Sequence, residues 1–255
     1  MDNFDRTLDI LVNGIPVKNY ARARLFGKER LGLYPSLFML TLWNIPEDEY
    51  LLLSRAHEIT IKHGDIILAS GAVADVFRYS EIKGTEVQVA FSPGLMLWGS
   101  SVSLDVEAGT SISEIVRRML DRSEAEVELL SFPGRDPVVT RGQAFFGRVS
   151  ECIEEILSKA EARCCLVPSG LCVIPKKGLP VSMILTQEDL KEPPFFTCGP
   201  EVVLRTGLAG WTLGKHIEYH YGWVKGRGLI EERMLNLDTE DGNWTVELLV
   251  TEYDS

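Results

Sequence analysis

Ser113-Glu114-Ile115-Val116-Arg117-Arg118-Met119-Leu120 and Ser150-Glu151-Cys152-Ile153-Glu154-Glu155-Ile156-Leu157 are two versions of one sentence, 37 positions apart. The likeness runs on. Glu124-Ala125-Glu126-Val127-Glu128-Leu129-Leu130 lies over Glu161-Ala162-Arg163-Cys164-Cys165-Leu166-Val167 at the same offset. In the first copy Ile112, Ile115, Val116, Met119 and Leu120 make one apolar stripe at helical spacing; in the second Val149, Cys152, Ile153, Ile156 and Leu157 do the same. Each copy therefore reads as a helix followed by a strand. Thr110 or Ser111 caps the first helix, with Glu114 completing a capping box after Ser111. Two units that each bury one stripe pack as a pair. Two repeats do not make a solenoid, so they describe a subdomain of about 101–178 inside a longer chain.

On either side the period changes from 3.6 to 2. Leu8, Ile10 and Val12 share one strand face, Asn13-Gly14 turns the chain, and Ile15 and Val17 begin the return. Arg22 to Leu33 gives no clear signal. Ser36 to Trp43 reads as a strand ended by Asn44-Ile45-Pro46, and Glu47 to Arg55 as a short helix. From Glu58 a meander follows, turning at His63-Gly64-Asp65 and at Lys83-Gly84, with Gly71 marking a bulge or bend. Phe132-Pro133-Gly134-Arg135-Asp136-Pro137 is a loop, and Cys165-Leu166-Val167 pairs with Cys172-Val173-Ile174 across Pro168-Ser169-Gly170. After Gly178, strands return at Val202–Leu204, His216–Trp223 and Ile230–Leu237, and Asp241-Gly242 tips the last hairpin into Trp244, Val246, Leu248 and Val250. The expected fold is α+β. A β-barrel is built from both chain ends, 1–100 and 179–255, around an α/β insert of two helix–strand repeats. The competing arrangement, three consecutive small domains, leaves the last ~75 residues to make a marginal core of their own.

Bulk properties exclude some functions. The net charge is −11, from 37 acids and 26 bases, which argues against wrapping nucleic acid through phosphate neutralisation. The five cysteines, Cys152, Cys164, Cys165, Cys172 and Cys198, have no metal spacing and read as reduced thiols. Met1–Thr7 is polar, unlike a signal peptide, and no apolar run reaches the ~20 residues of a membrane span.

The chemistry-bearing residues are sparse. On a strand, His216, Glu218 and His220 share one face, but a zinc protease needs His-Glu-x-x-His on a helix. His63 with Asp65 and His57 with Asp75 lack any nucleophile motif, and the acid pairs Glu154-Glu155, Glu231-Glu232 and Glu240-Asp241 read as solvated surface. Gly222–Gly228 (GWVKGRG) is glycine-rich without phosphate-loop spacing, so Lys225 and Arg227 read as a loop tip or contact. Trp211, Tyr219, Tyr221 and Trp223 are core or interface residues. The candidates for partner contact are Trp211, Tyr219, Trp223, Lys225 and Arg227. No cofactor, metal or catalytic residue is expected.

Three stretches carry a resemblance. The first is Leu8-Asp9-Ile10-Leu11-Val12-Asn13-Gly14 followed by Gly64-Asp65-Ile66 and Gly71-Ala72-Val73-Ala74-Asp75-Val76. The second is Val106-Glu107-Ala108-Gly109-Thr110-Ser111-Ile112-Ser113-Glu114-Ile115. The third is Arg205-Thr206-Gly207-Leu208-Ala209-Gly210 with the closing Asp241-Gly242-Asn243-Trp244-Thr245-Val246. In this order the chain resembles the bacteriophage tail and baseplate hub family, also found in contractile injection systems. It departs from that family at Leu235-Asn236-Leu237-Asp238, where a longer leucine-proline-glycine segment is usual. The resemblance implies a virion structural protein assembled in the host cytoplasm. It implies a homotrimer whose barrels form a ring joining the six-fold tail tube to a trimeric spike protein around the DNA channel. Tube or distal tail proteins and the tape measure protein would be its further neighbours, without a membrane anchor. A sequence of 255 residues is short for two barrels, which leaves the insert to supply part of the second ring element. Two other readings stand beside this one: a tail-associated peptidase or glycosidase using His216, Glu218 and His220, and a monomeric β-barrel binding module.

Overall fold

The computed structural model describes residues 6–81, 84–123, 125, 127–132, 136–167, 170–175, 181–207, 210–240 and 243–253. In chain order the first strands are β1 (Asp9–Val12), β2 (Ile15–Val17), β3 (Arg22–Arg30) and β4 (Leu37–Trp43), then helix α1 (Glu47–Ser54). β5 (Glu58–His63), β6 (Ile66–Glu81) and β7 (Gly84–Ser92) follow. The middle holds α2 (Leu95–Gly99), β8 (Ser101–Val106), α3 (Ile112–Asp121), β9 (Leu129–Ser131), β10 (Gln143–Arg148), α4 (Val149–Lys159), β11 (Ala162–Val167) and β12 (Gly170–Pro175). The chain closes with β13 (Met183–Leu185), β14 (Phe195–Phe196), β15 (Glu201–Thr206), β16 (His216–Tyr221), β17 (Val224–Asp238) and β18 (Trp244–Glu252). Contacts divide it into two compact units, one of residues 1–29, 36–92 and 181–255, the other of 30–35 and 93–180.

The first unit is one sheet drawn from both ends of the chain. Its path runs β14-β15-β18-β17-β3-β4-β7-β6-β5-β1-β2, with β16 on β17 and β13 parallel to β16. β3 beside β17 is where the two chain ends meet. Alternation fixes which face is dry: Ala23 and Leu25 on β3, Leu40 and Leu42 on β4, Val87 and Val89 on β7, and Leu235 and Leu237 on β17 are all buried. Phe38 and Phe91 stack across the strands at 5.4 Å. The expected closed barrel is not found among the described residues, where the path ends at β14 and β2.

The Asn13-Gly14 hairpin forms as the sequence predicts, with positive φ at both residues (49° and 80°), as a type I′ turn requires. Segment 22–33, which gave no signal, supplies nine-residue β3. Its alternation is there, but Gly27 and five charged residues mask it. The tip of the last expected hairpin, Asp241-Gly242, and the Pro168-Ser169 turn lie outside the described residues.

The second unit carries the repeat. α3 starts at Ile112 and α4 at Val149, and the six buried residues of α3 (Ile112, Ser113, Ile115, Val116, Met119, Leu120) match those of α4 (Val149, Ser150, Cys152, Ile153, Ile156, Leu157) one for one at the offset of 37. These stripes form one core with Val102, Leu104, Cys164, Leu171 and Val173. The strand halves match less well. β11 covers 162–167 of the expected 161–167, whereas β9 begins only at Leu129 and pairs parallel with β12. Cys165 faces Cys172 in the expected β11–β12 hairpin. Ser111 is the cap of α3, accepting from the Glu114 amide, but the reciprocal half of the capping box is absent because the Glu114 carboxylate takes Arg118 at 2.8 Å. Glu154, expected as solvated charge, instead accepts the Leu33 amide at 2.6 Å.

Candidate assembly surface

β16 and β17 form a hairpin closed by Gly222 and Trp223, with Tyr221 opposite Val224. Gly222 supplies the positive φ (58°) that a two-residue turn demands. The expected glycine-rich loop is therefore two residues long. Lys225 and Arg227 lie in the strand, opposite His220 and Glu218. The glycines at 226 and 228 are there for close approach. A Cβ on Gly226 would meet the Tyr219 hydroxyl at 2.4 Å, and one on Gly228 would meet the Thr251 carbonyl at 2.5 Å.

The five contact candidates part company. Trp211 and Tyr219 are buried, so neither offers surface to a partner in this fold. The Trp211 carbonyl accepts from Arg233, and the Tyr219 hydroxyl donates to Glu252 at 2.6 Å. Trp223 stands 93% exposed at the turn, the most exposed large apolar side chain among the described residues. Lys225 and Arg227 are exposed beside it, and the Arg227 Nε donates to Glu218 at 2.8 Å.

The residues proposed for hydrolysis are tied up in pairs. Glu218 accepts from both His220 and Arg227, and these hydrogen bonds hold its carboxyl below the usual range. His216 is buried with its Nδ1 against the Tyr253 hydroxyl, and burial lowers its pKa. His63 Nδ1 meets the Thr7 carbonyl, while Asp75 accepts the Val76 amide, so neither imagined acid–base pair forms. A shallow groove near Asp189 and Trp244 contains Lys191, whose ammonium already donates to the Trp244 carbonyl and to Thr245. No cluster of three potential metal ligands occurs among the described residues. Nor is any described helix long and apolar enough to cross a membrane.

Apolar side chains instead collect at sheet margins. β5 pairs with β6 only as far as Ala72, so among the described residues the rest of β6 has β7 on one side and no strand on the other. Asp75 caps the Val76 amide there, and Phe77 and Tyr79 are exposed (39% and 48%). At the ends of the path Phe195 and Phe196 on β14 and Ile15 on β2 are exposed too. The sequence reading missed Phe77, Tyr79, Phe195 and Phe196. The available signal was β6 itself, an alternating run far longer than the β5 segment before it.

No protein-family model and no curated protein matches the sequence. Solved structures do match. The tail protein from Neisseria meningitidis superposes with a TM-score of 0.73 at 11% identity, over 97% of this chain and 96% of that one. The 43 kDa tail protein of prophage MuSo2 from Shewanella oneidensis gives 0.66 at 10%, over 95% of each chain. A Francisella PdpA–VgrG complex gives 0.52 at 8%, over 99% of this chain and 54% of that one, so this chain spans about half of its length. From end to end, the chain has the fold of phage tail proteins.

Proposed function

We propose that the protein is a structural hub of a phage-type tail: a homotrimeric ring that joins the tail tube to a trimeric spike protein and surrounds the DNA channel. The observation that carries this reading is the likeness to phage tail proteins over nearly the whole of both chains, with little left over on either side. The similarity to a complex containing VgrG favours a place where tube and spike meet. In the ring the open sheet acts as the barrel-like tube element, and the unit carrying the 37-residue repeat acts as its α/β insert. A net charge of −11 suits a channel lining that repels DNA phosphate. The exposed apolar side chains at the sheet margins are surface that assembly would cover.

We read the role as structural: Glu218 holds His220 and Arg227, and His216 lies buried against Tyr253, an arrangement that a structural surface accounts for. The test is mass in solution by light scattering behind a sizing column. A species near three times 28.5 kDa is expected. A monomer at every concentration would favour a β-rich binding module instead.

A further inference from the structure

The tip of the β16–β17 hairpin is a cationic island on an acidic chain. Residues 215–227 hold Lys215, Lys225 and Arg227 against Glu218 alone; with 26 bases and 37 acids in all, this tip segment carries +2 and the remainder −13. Trp223 stands at its tip, clear of its own chain, and a side chain of that size held on a rigid two-residue turn can bury a large area at little entropic cost.

The free edge of β6 has the complementary character. Val76 and Arg78 lie opposite buried Val89 and Val87, and Arg78 pairs with Glu47 at 2.8 Å and lies 4.3 Å over the Tyr50 ring. Alternation sends Phe77 and Tyr79 to the other face, with Asp75 before them and Glu86 directly opposite Tyr79 on β7. Glu86 already takes the Trp43 indole and Gln88, which leaves Asp75 as the exposed carboxylate beside two exposed aromatic rings.

We propose that the Trp223 tip of one copy seats on the Phe77–Tyr79 edge of the next copy, with Lys225 directed to Asp75. The occupant is a second copy because the tip's charge is opposite to that of the rest of the chain, and because one chain carries both halves of the contact. The contact joins unlike surfaces, so it is head-to-tail, the kind of contact that makes a ring when its rotation closes and a filament when it does not. This proposal rests on the ring reading above and names the interface that would hold the ring together.

The test uses the 255-residue chain with Cys198→Ser, which removes its exposed cysteine. Trp223→Cys and Tyr79→Cys versions are prepared separately and mixed under mild oxidation. A disulfide-linked pair is expected from the mixture and not from either version alone. In parallel, Trp223→Ala is expected to raise the concentration at which the trimer dissociates at least tenfold, with unchanged far-ultraviolet circular dichroism. A wild-type trimer that Trp223→Ala leaves intact, with no cross-link in the mixture, overturns the interface and spares the ring. A wild-type chain that never exceeds monomer mass overturns both.

Discussion

Arg233 and Glu29 form an ion pair of 2.6 Å beneath the sheet, with side chains only 5% and 13% exposed. The same guanidinium donates to the Trp211 carbonyl and to the Leu68 carbonyl, both at 2.7 Å. One side chain thus ties β17 to β3, to β6 and to the segment before β16. Burial raises the Glu29 pKa, and Arg233 opposes that rise. Removing Arg233 strands a buried carboxylate, so Arg233→Met is expected to cost about 3–5 kcal/mol. Adding Glu29→Leu should return part of that loss. It should not return all of it, because the Leu68 and Trp211 carbonyls still lack their donor. Urea midpoints of the two variants check the order.

Arg22 and Asp238 make the second tie between the chain's two ends. The contact is two-pronged, Nε to Oδ1 at 3.0 Å and Nη2 to Oδ2 at 2.6 Å, with the Asp238 side chain 2% exposed. Arg22 also lies 4.7 Å over the Trp43 ring. Asp238→Asn keeps the shape but loses the charge-assisted geometry, and should cost about 1–3 kcal/mol. The loss should fall on the β3–β17 seam. Hydrogen exchange is then expected to quicken at β3 and β17 and to stay unchanged at α3 and α4. Equal quickening in both helices would contradict a local seam.

What the sequence revealed followed the strength of its periodicity. The helical stripes survive intact, because six buried positions recur at one offset in α3 and α4. Asn13-Gly14 was legible because few residues tolerate positive φ twice in succession. β3 was illegible because Gly27 interrupts its apolar face; a Cβ there would lie 2.1 Å from the Phe38 ring, a contact made only by folding. The same holds at Gly226, where glycine signals a loop in sequence but makes room for Tyr219 in space. At the candidate surface, spacing could find Trp223 but could not tell it from Trp211. Whether an aromatic ring ends inside or outside is decided by partners distant in the chain.

Ser111 and Asp136 anchor the start of α3. The Ser111 hydroxyl accepts from the Glu114 amide, and Asp136 takes both the amide and the hydroxyl of Ser113. Burial pushes the Asp136 pKa up, but the hydrogen bonds from Ser113 and Ser111 and the charge of Arg117 outweigh it and hold the carboxyl below its usual value. Ser111→Ala is expected to cost about 1 kcal/mol. Asp136→Ala should cost at least as much, because it leaves two donors behind. A melting temperature lowered by Ser111→Ala alone would reverse that order.

His216 is a buried histidine of the C-terminal strands. It is 4% exposed, its Nδ1 accepts from the Tyr253 hydroxyl, and its Nε2 finds no partner among the described residues. Burial lowers its pKa, while burial raises Tyr253 to about 12, so near neutrality the phenol keeps its proton and the imidazole stays uncharged. A group with a depressed folded pKa favours the unfolded state once the unfolded chain begins to bind its proton. The stability contribution is therefore complete above the unfolded value of about 6.5 and is lost as pH falls through the folded one. Between pH about 6.5 and 5 most carboxylates are still largely ionised, so this histidine should contribute to the slope. Thermal melts of wild type should drop more steeply across that interval than those of His216→Gln. A wild-type curve as flat as that of the variant would show that protonation of His216 costs the fold nothing.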